Sequence, residues 1–428
     1  MHDKMPSLSL SSLPAHARVR FAEFVALMAS IMGINALSID PMLPALPSIG
    51  ADLGVLVAND RQLVISVFFI GIAVGSLIYG PLSDRFGRKA VMLGALSMML
   101  VSTLVCALAP SFTVLLIGRA CAGFCAAACR VIAVSTVRDC FRGDQMAKVM
   151  SLIFIIFMVV PILAPSFGQL ILLFAEWRWI FGALVVLNAG LIVWIIARLP
   201  ETLAPENRSN IRPADLWVTF LRIVTNRSSM GYMTASGVVM GGLVGFITSV
   251  QQIFYDIFHA PDVFPLAFAG MAVWMAVGSF FNSRLVERLG ARRLSQSALI
   301  IMILFAMVHS VFALMHWETL PSFIVFQAMT MLCFAFAGSN FSSIALEPFA
   351  QGAGLASSIQ ASLTTLISTV LGSIVGQAFN GTTLPLALGF MVFGLCSLII
   401  VWWAERGRLF TRPGLHGLRC DNPAPPPR

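Results

Sequence analysis

The charged turn of this chain reads Gly80-Pro-Leu-Ser-Asp84-Arg85-Phe-Gly87-Arg88-Lys89, and it separates two long apolar runs. Glycine tolerates backbone conformations that other residues avoid, and it lets helices approach each other closely. A second segment, Ser283-Arg-Leu-Val-Glu287-Arg288-Leu-Gly-Ala-Arg292, repeats the leucine, acid, arginine, glycine and base in the same order. Each copy follows the second apolar run of its half of the sequence. The pair therefore predicts a chain that is built from two related halves.

The composition indicates that lipid surrounds most of the chain. Hydrophobic residues make up 58% of the 428 residues and charged residues only 11%, whereas soluble domains are about half apolar and about a quarter charged. The formal net charge of +8 is of the kind that nucleic-acid-binding proteins show. Here, however, the Lys and Arg residues lie in the gaps between apolar runs. We therefore expect a lipid bilayer as the surrounding and no nucleic acid as a partner.

Twelve apolar runs are long enough to cross a bilayer, which takes about 20 helical residues. The predicted spans lie near 21–46, 61–82, 90–109, 112–133, 146–173, 178–199, 229–255, 264–284, 294–315, 321–343, 354–380 and 383–404. The sequence therefore predicts an all-α membrane protein with twelve transmembrane helices in two pseudo-symmetric six-helix bundles.

The positions of the basic residues predict the orientation, because Lys and Arg favour the cytoplasmic side of a membrane. The gaps assigned to the cytoplasm contain Arg85, Arg88, Lys89, Arg138, Arg142, Lys148, Arg284, Arg288, Arg292 and Arg293, and the outer gaps contain only Arg61 and Arg178. With an even number of spans, both termini are expected in the cytoplasm of a bacterium, beneath its inner membrane. The predicted organisation is a tail (1–20), a bundle (21–199), a cytoplasmic linker (200–228), a second bundle (229–404) and a tail (405–428).

The turn at Gly80 resembles the Gly-x-Leu-Ala-Asp-Arg-x-Gly-Arg-Lys pattern of the major facilitator superfamily, with Ser83 in place of the usual alanine. The resemblance implies a secondary transporter that functions as a monomer. It also implies that the turn and its repeat latch the two bundles together in the outward-open state. The expected latch residues are Gly80, Asp84, Arg85, Gly87, Arg88, Lys89, Glu287 and Arg288. The alternative is that the basic residues only fix the orientation of the chain.

The fifth span contains two prolines, in the segment Pro161-Ile-Leu-Ala164-Pro165-Ser-Phe-Gly168. Prolines break the helical hydrogen-bond ladder, and small residues admit close helix contacts. The segment resembles the antiporter motif of drug–proton exporters, in the variant of the bicyclomycin- and chloramphenicol-resistance (Bcr/CflA) branch. Ala164 and Gln169 stand where that motif has glycines. The alternative is a helix that is merely kinked.

Asp40 is an acid in an otherwise apolar first span, within Ser38-Ile-Asp40-Pro41-Met-Leu-Pro44-Ala-Leu-Pro47. Intramembrane acids usually face a cavity and often relay protons, because an unpaired charge in hydrocarbon is costly. Pro44 has no N–H, so the carbonyl of Asp40 loses its helical partner. The segment resembles the Asp-x-x-Leu-Pro-x-x-Pro pattern of the Bcr/CflA branch. The alternative is an acid at the outer mouth of the protein that the periplasm solvates.

Arg119 is the expected partner of Asp40 in proton coupling. It lies about 10 Å into the fourth span from the outer side, which places it in the same outer half as Asp40. Gly118-Arg119-Ala-Cys-Ala122-Gly123 resembles the Arg-x-x-Gln-Gly motif of superfamily exporters, with Ala122 in place of the glutamine. The hypothesis is that Asp40 is protonated from outside, releasing substrate or Arg119, and loses the proton when the site faces inward.

Other polar groups in the spans are expected to have structural roles. Arg130 is expected to lie near the end of its helix and to extend its side chain to the membrane surface. His309 and Asn340 are expected to make interhelical hydrogen bonds. Cys121, Cys125 and Cys129 share one helix face, but a single row of thiols is a poor metal cage, so helix packing explains them better. No metal and no cofactor is predicted.

The transported molecule is not named by the sequence. Candidate cavity residues are Met32, Asn35, Tyr232, Phe246, Gln251 and Tyr255. The resemblance implies export of small amphipathic, drug-like molecules in exchange for protons. Export of one natural solute, such as a siderophore or amino-acid derivative, and proton-coupled import remain alternatives on the same fold. An enzyme is disfavoured because the six His residues are scattered along the sequence. A channel is disfavoured because the sequence has no repeated filter elements, and ATP-driven transport is disfavoured because it has no Walker loop.

Overall fold

The computed structural model describes residues 20–141, 143–208, 213–349 and 353–410. Every regular element in these ranges is a helix. The first half contains α1 (Phe21–Leu37), α2 (Leu46–Asp52), α3 (Leu63–Phe86), α4 (Arg88–Ala107), α5 (Phe112–Cys140), α6 (Gly143–Leu172) and α7 (Arg178–Arg198). The remainder contains α8 (Pro213–Thr225), α9 (Arg227–Gln252), α10 (Phe264–Leu289), α11 (Ala291–Leu314), α12 (Leu320–Leu346), α13 (Ala353–Gln377) and α14 (Leu384–Ala404).

Twelve segments of the described chain are helical, long and apolar enough to cross a membrane, which confirms the predicted number of spans. Each is 20 to 32 residues long, and a bilayer core needs about 20 residues. Short 3₁₀ segments at Asp40–Ala45, Ala58–Gln62 and Glu347–Phe349 and a π-helical turn at Ile253–Ile257 extend some of these spans. The chain is therefore an all-α, twelve-span membrane protein.

The first span is broken near its end. The helix α1 ends at Leu37, a 3₁₀ turn covers Asp40–Ala45, and α2 then continues to Asp52. The break follows from the prolines of this segment, because a proline cannot donate the N–H that an α-helix requires. The predicted span ended near residue 46, so the structure extends it by one further short helix.

The fourth span is also longer than predicted. The helix α5 continues to Cys140, whereas the predicted span ended near residue 133. Its last turns include the buried polar residues Ser135 and Thr136. Protein rather than lipid surrounds these residues, so the helix continues after the hydropathy of the sequence has fallen.

The helices α3 and α5 pack with their backbones almost in contact. A Cβ atom added to Gly71 would lie 2.3 Å from the carbonyl oxygen of Ala120, and one added to Gly123 would lie 2.0 Å from that of Phe68. Only glycine fits at such positions, because any side chain would overlap the neighbouring backbone. This contact holds the fourth span, with Arg119, firmly against the second span.

The packing of the first half is repeated in the second half. The helix α1 packs on α6, α3 on α5, and α4 on α5 and α7, while α9 packs on α13, α10 on α12, and α11 on α12 and α14. Between the halves, α3 packs against α13 and α6 packs against α10. These two contacts are related by the same pseudo-symmetry.

The segment between the halves contains a helix that we did not predict. Within the predicted linker 200–228, α8 covers Pro213–Thr225. Trp217 stacks on Phe220 and is 61% exposed, whereas Ile223 is buried. The helix is therefore amphipathic, and the charges of this segment concealed it in the sequence. Residues 209–212 of the predicted linker, Arg142, and residues 1–19 and 411–428 of the predicted tails lie outside the described residues.

Candidate functional site

Asp40 begins the 3₁₀ turn that interrupts the first span. Its side chain is only 6% exposed, and it has no hydrogen-bond or ion-pair partner among the described residues. An acid that is simply solvated at the mouth of the protein would be much more exposed than Asp40 is. A buried carboxylate without a partner is unfavourable in its ionised form. The arrangement therefore suits a group that gains and loses a proton as its surroundings change.

Arg119 is 1% exposed and is directed at the same break. Its Nη1 donates to the carbonyl oxygen of Ser38 at 2.7 Å, and its Nε donates to that of Val64 at 3.0 Å. The guanidinium also lies over the ring of Phe68, with 4.1 Å between Cζ and the ring centroid. Arg119 and Asp40 form no ion pair, and the Nη2 of Arg119 is buried without an acceptor among the described residues. The structure thus holds the arginine on backbone carbonyl oxygens, one of which belongs to Ser38, two residues before Asp40 in the chain.

The break supplies the acceptor that Arg119 uses. In a continuous α-helix the carbonyl of Ser38 accepts the N–H of Met42. Here the N–H of Met42 instead donates to the carbonyl of Ile39, at 3.3 Å. The carbonyl of Ser38 is therefore free for the arginine. The prolines that break the helix and the arginine that binds the break are parts of one local arrangement.

The prolines of the fifth span lie within α6, and Gly168 of the same segment contacts the break. A Cβ atom added to Gly168 would lie 2.0 Å from the carbonyl oxygen of Pro41 and 2.9 Å from its Cα. Ala164 is fully buried. The antiporter-like segment thus packs directly on the residue next to Asp40.

The turn at Gly87 holds a network of charged groups. Gly87 has φ of 99°, which favours glycine. The guanidinium of Arg88 is buried, and it pairs with Asp84 at 2.5 Å and with Asp139 at 2.9 Å. Glu201 accepts the backbone N–H groups of Arg88 at 2.8 Å and of Lys89 at 3.1 Å. A carboxylate in this position satisfies N–H groups that the first turn of a helix leaves unpaired.

The second half repeats this network. Gly290 has φ of 83° and precedes α11, as Gly87 precedes α4. Arg292 pairs with Glu347 at 3.0 Å and with Glu405 at 2.8 Å. Asp139 and Glu347 lie at the ends of equivalent spans, and Glu201 and Glu405 follow the last spans of the two halves. Of the other predicted latch residues, Arg85, Glu287 and Arg288 are exposed.

Hydrogen bonds join the two halves at the opposite end of the bundle. We name the two ends the Asn59 end and the Gly87 end after these residues. The side-chain amide of Asn59 donates to the carbonyl oxygens of Gln377 and Phe379, each at 3.0 Å. Gln252 bonds to Asn59 at 3.0 Å and also to Gln62. Ser373 donates to Ser66 at 2.8 Å. The Asn59 end is therefore closed.

The predicted cavity residues lie in different places. Met32, Phe246 and Gln251 are buried, and Asn35 is partly exposed. The hydroxyl of Tyr255 is 3.5 Å from the carbonyl of Pro44, so it reaches the first-span break from the other half. The hydroxyl of Tyr232 donates to Glu405 at 2.8 Å, in the charged network of the Gly87 end.

The sequence profile of the Major Facilitator Superfamily matches residues 24–358 of the chain, which is more than three quarters of its length. The chain belongs to the Major Facilitator Superfamily. It is therefore a multi-pass membrane transporter rather than an enzyme.

Relatives with similar sequences support this membership of the superfamily. The chain is 32% identical to the "Bicyclomycin resistance protein homolog" of Haemophilus influenzae over 392 residues, covering 88% of this chain and 94% of that protein. It is 31% identical to the "Uncharacterized MFS-type transporter YdgK" of Bacillus subtilis, covering 86% and 90%. Over 179 residues it is 34% identical to the "Multidrug resistance protein MdtL" of Escherichia coli, covering 41% and 45%. The predicted resemblance to the Bcr/CflA branch is confirmed.

A solved structure has the same superfamily fold. The human organic anion transporter MFSD10 (TETRAN) superposes with a TM-score of 0.67 at 16% sequence identity, covering 90% of this chain and 100% of that chain. At this identity the similarity establishes the fold alone.

Asn340 makes the predicted interhelical hydrogen bond, since it donates to Asn282 of α10 at 2.7 Å. His309 bonds through Nε2, at 2.7 Å, to Glu318, which lies between α11 and α12 and not in a helix, so the prediction of an interhelical hydrogen bond is wrong for His309. No cluster of metal-ligating side chains occurs in the described ranges. Cys125 is buried within the helix packing.

The sequence reasoning missed four acids of the charged networks, namely Asp139, Glu201, Glu347 and Glu405. A signal was available, because each half of the superfamily fold places one acid after its fourth span and one after its sixth span. That regularity extends the repeat beyond the turn segments with which it was first recognised.

Proposed function

We propose that this transporter exports small amphipathic, drug-like molecules across the bacterial inner membrane in exchange for protons. Two relatives are named for bicyclomycin resistance and multidrug resistance, which supports export of such compounds. The observation on which the proton exchange depends most is the buried Asp40 carboxylate without a partner. Such a group is stable when protonated and requires a cation or water when ionised.

Arg119 is the cation that Asp40 would use. The Nη2 group of Arg119 lacks an acceptor, and its other donors are bound to carbonyl oxygens beside the break. While Asp40 is protonated, the arginine remains on these carbonyls. When Asp40 loses its proton, its charge attracts the guanidinium, which leaves the carbonyl of Ser38. Proton loss is thus coupled to a rearrangement of the break.

The neighbours of the break transmit this rearrangement. Gly168 packs on Pro41 from the fifth span, and Tyr255 reaches Pro44 from the other half. A movement of residues 38–44 therefore changes contacts within the first half and between the halves. Alternating access requires such coupling between a binding-site event and the relative position of the two halves.

The networks at the Gly87 end are proposed to act as the conformational latch. Arg88 links the second span to the end of the fourth span through Asp84 and Asp139, and Gly80 lies against Ser358 of α13. The buried turn of the first half thus adjoins the second half. Arg88, rather than the exposed Arg85, is the base that we assign to the latch.

We assign the Gly87 end to the cytoplasm. Most of the basic residues in the gaps between spans lie at that end, and only Arg61 and Arg178 lie in the gaps of the Asn59 end. The positive-inside rule then places both termini in the cytoplasm. In this assignment the closed Asn59 end faces the periplasm, and the two bundles are 21–199 and 229–404, joined by a linker at 200–228.

Transport into proteoliposomes with an acidic lumen tests the proposal. A panel of amphipathic compounds that includes bicyclomycin is offered to the wild type, to Asp40→Asn and to Asp256→Asn. Asp256 is exposed, so its substitution controls for the chemical change alone. We expect accumulation by the wild type and by Asp256→Asn, and none above the protein-free background by Asp40→Asn. Undiminished accumulation by Asp40→Asn would contradict the assignment.

A further inference from the structure

Arg130 is a charged residue that the proposed mechanism does not use. It lies in α5, which continues for ten more residues to Cys140, or about 15 Å along the helix axis. The expectation that the helix ends near Arg130 is therefore wrong. Its side chain lies deep within the protein and yet is exposed to a water-sized probe. Those two properties together indicate that the side chain faces a cavity inside the helix bundle.

The position of Arg130 on the helix supports this reading. At 100° per residue, Arg130 lies on the same face as Arg119, within about 20°. Of the neighbours of Arg130 on that face, Ala126, Ala127, Ala133 and Val137 are buried, and Val134 is partly exposed. Ile117, which is 60% exposed, lies about 140° around the helix. The exposure of Arg130 is thus an opening within the buried face of α5 and not contact with lipid.

Arg130 has no partner among the described residues. No hydrogen bond, ion pair or aromatic ring satisfies its guanidinium, and no acidic side chain of these residues interacts with it. Arg119 on the same face differs, because two carbonyl oxygens and the ring of Phe68 hold it. An arginine remains charged in proteins and is costly inside a membrane without an anion or water. The cavity at Arg130 therefore has a fixed positive charge.

We propose that Arg130 binds a carboxylate group of the transported molecule, so that amphipathic acids are among the substrates. A guanidinium forms two parallel hydrogen bonds with a planar carboxylate, and this geometry discriminates an acid from its amide. The site lies on the Gly87 side of Arg119, about 16 Å along the same helix face. A molecule bound there occupies the cavity on the side that we assign to the cytoplasm, where export begins.

This inference names a substrate class for the proposed function and depends on it for the direction of transport. The test measures binding, which requires neither a pH gradient nor Asp40. The probes are aromatic carboxylates of one to three rings, each paired with its primary amide. Purified full-length protein in phosphatidylcholine nanodiscs is used, so that no anionic lipid competes. Equilibrium dialysis compares the wild type with Arg130→Gln and Arg130→Lys.

We expect at least one carboxylate to bind the wild type about 10-fold or more tightly than its amide. Arg130→Gln reduces that preference to about 1, and Arg130→Lys retains part of it. The amides bind all three proteins alike, which shows that the variants are folded. Failure of every carboxylate to bind the wild type, or a preference that survives Arg130→Gln, would overturn the inference. If the wild type prefers the carboxylate but shows no transport driven by a pH gradient in proteoliposomes, only the proposed function is overturned.

Discussion

Gly168→Ala is predicted to impair transport because it pushes the fifth span away from the first-span break. The added Cβ would lie 2.0 Å from the carbonyl oxygen of Pro41, whereas ordinary contacts begin at 3.4 Å. The two backbones must therefore separate by about 1.4 Å, at an overpacking cost of about 1–3 kcal/mol. That displacement acts on the residue next to Asp40, and positional errors of about 1 Å at reacting groups reduce rates by up to about 100-fold.

The assay is accumulation of a transported compound in proteoliposomes with an acidic lumen, together with thermal unfolding of the purified protein. We expect Gly168→Ala to reduce the initial rate by about 10-fold or more and to lower the unfolding temperature. Gly190→Ala is the matched control, because a Cβ added to Gly190 of α7 meets no atom within 4 Å. Wild-type transport and stability in Gly168→Ala would refute the packing argument.

Two further predictions concern the ends of the bundle. Arg88→Ala is expected to lower the free energy of unfolding by about 1–3 kcal/mol, because it leaves Asp84 and Asp139 without their shared partner. The control variant Arg85→Ala is expected to have little effect. Chemical or thermal unfolding of both variants in detergent measures the difference, and equal losses of stability would contradict the prediction. Gln62→Leu is expected to weaken the closure of the Asn59 end, because it removes the hydrogen bond to Gln252. A cysteine placed at Ser373 is then expected to react faster with a water-soluble maleimide than the same cysteine in a protein that retains Gln62. Unchanged labelling would show that this hydrogen bond does not hold the end closed.

The spans could be predicted from the sequence because each is a local property of about 20 residues. The details at their ends could not. Hydropathy reports contact with lipid, and the last turns of α5 are surrounded by protein, so its extension beyond residue 133 left no hydropathy signal. The amphipathic helix α8 was likewise missed, because its apolar face alternates with the charges of the linker.

The candidate site was predicted in its members but not in its contacts. Asp40, Gly168 and Arg119 each lie in a recognisable local pattern. The acceptors of Arg119 are backbone carbonyls, which every residue has, so no residue pattern could identify them. The contact of Gly168 with Pro41 joins residues far apart in the chain. Such contacts follow from helix packing, which is not encoded within either segment alone.

The choice between Arg85 and Arg88 as the buried base also required the structure. The two residues lie on either side of Gly87, whose positive φ redirects the chain. The side chain of Arg88 consequently reaches Asp139 at the end of the fourth span, and Arg85 lies outside over Phe86. In the second half the base of the network is Arg292, the second residue after Gly290, whereas Arg88 is the first residue after Gly87, so the two networks use bases at different positions of the repeat.

The measurement that tests the central claim most directly is proton movement driven by substrate. Proteoliposomes are loaded with a transported compound and a pH-sensitive dye and are then diluted into compound-free buffer without a pH gradient. For the wild type we predict that efflux of the compound acidifies the lumen, because each cycle returns a proton through Asp40. For Asp40→Asn we predict no acidification, while exchange of labelled for unlabelled compound continues. Acidification by Asp40→Asn at the wild-type rate would contradict the account.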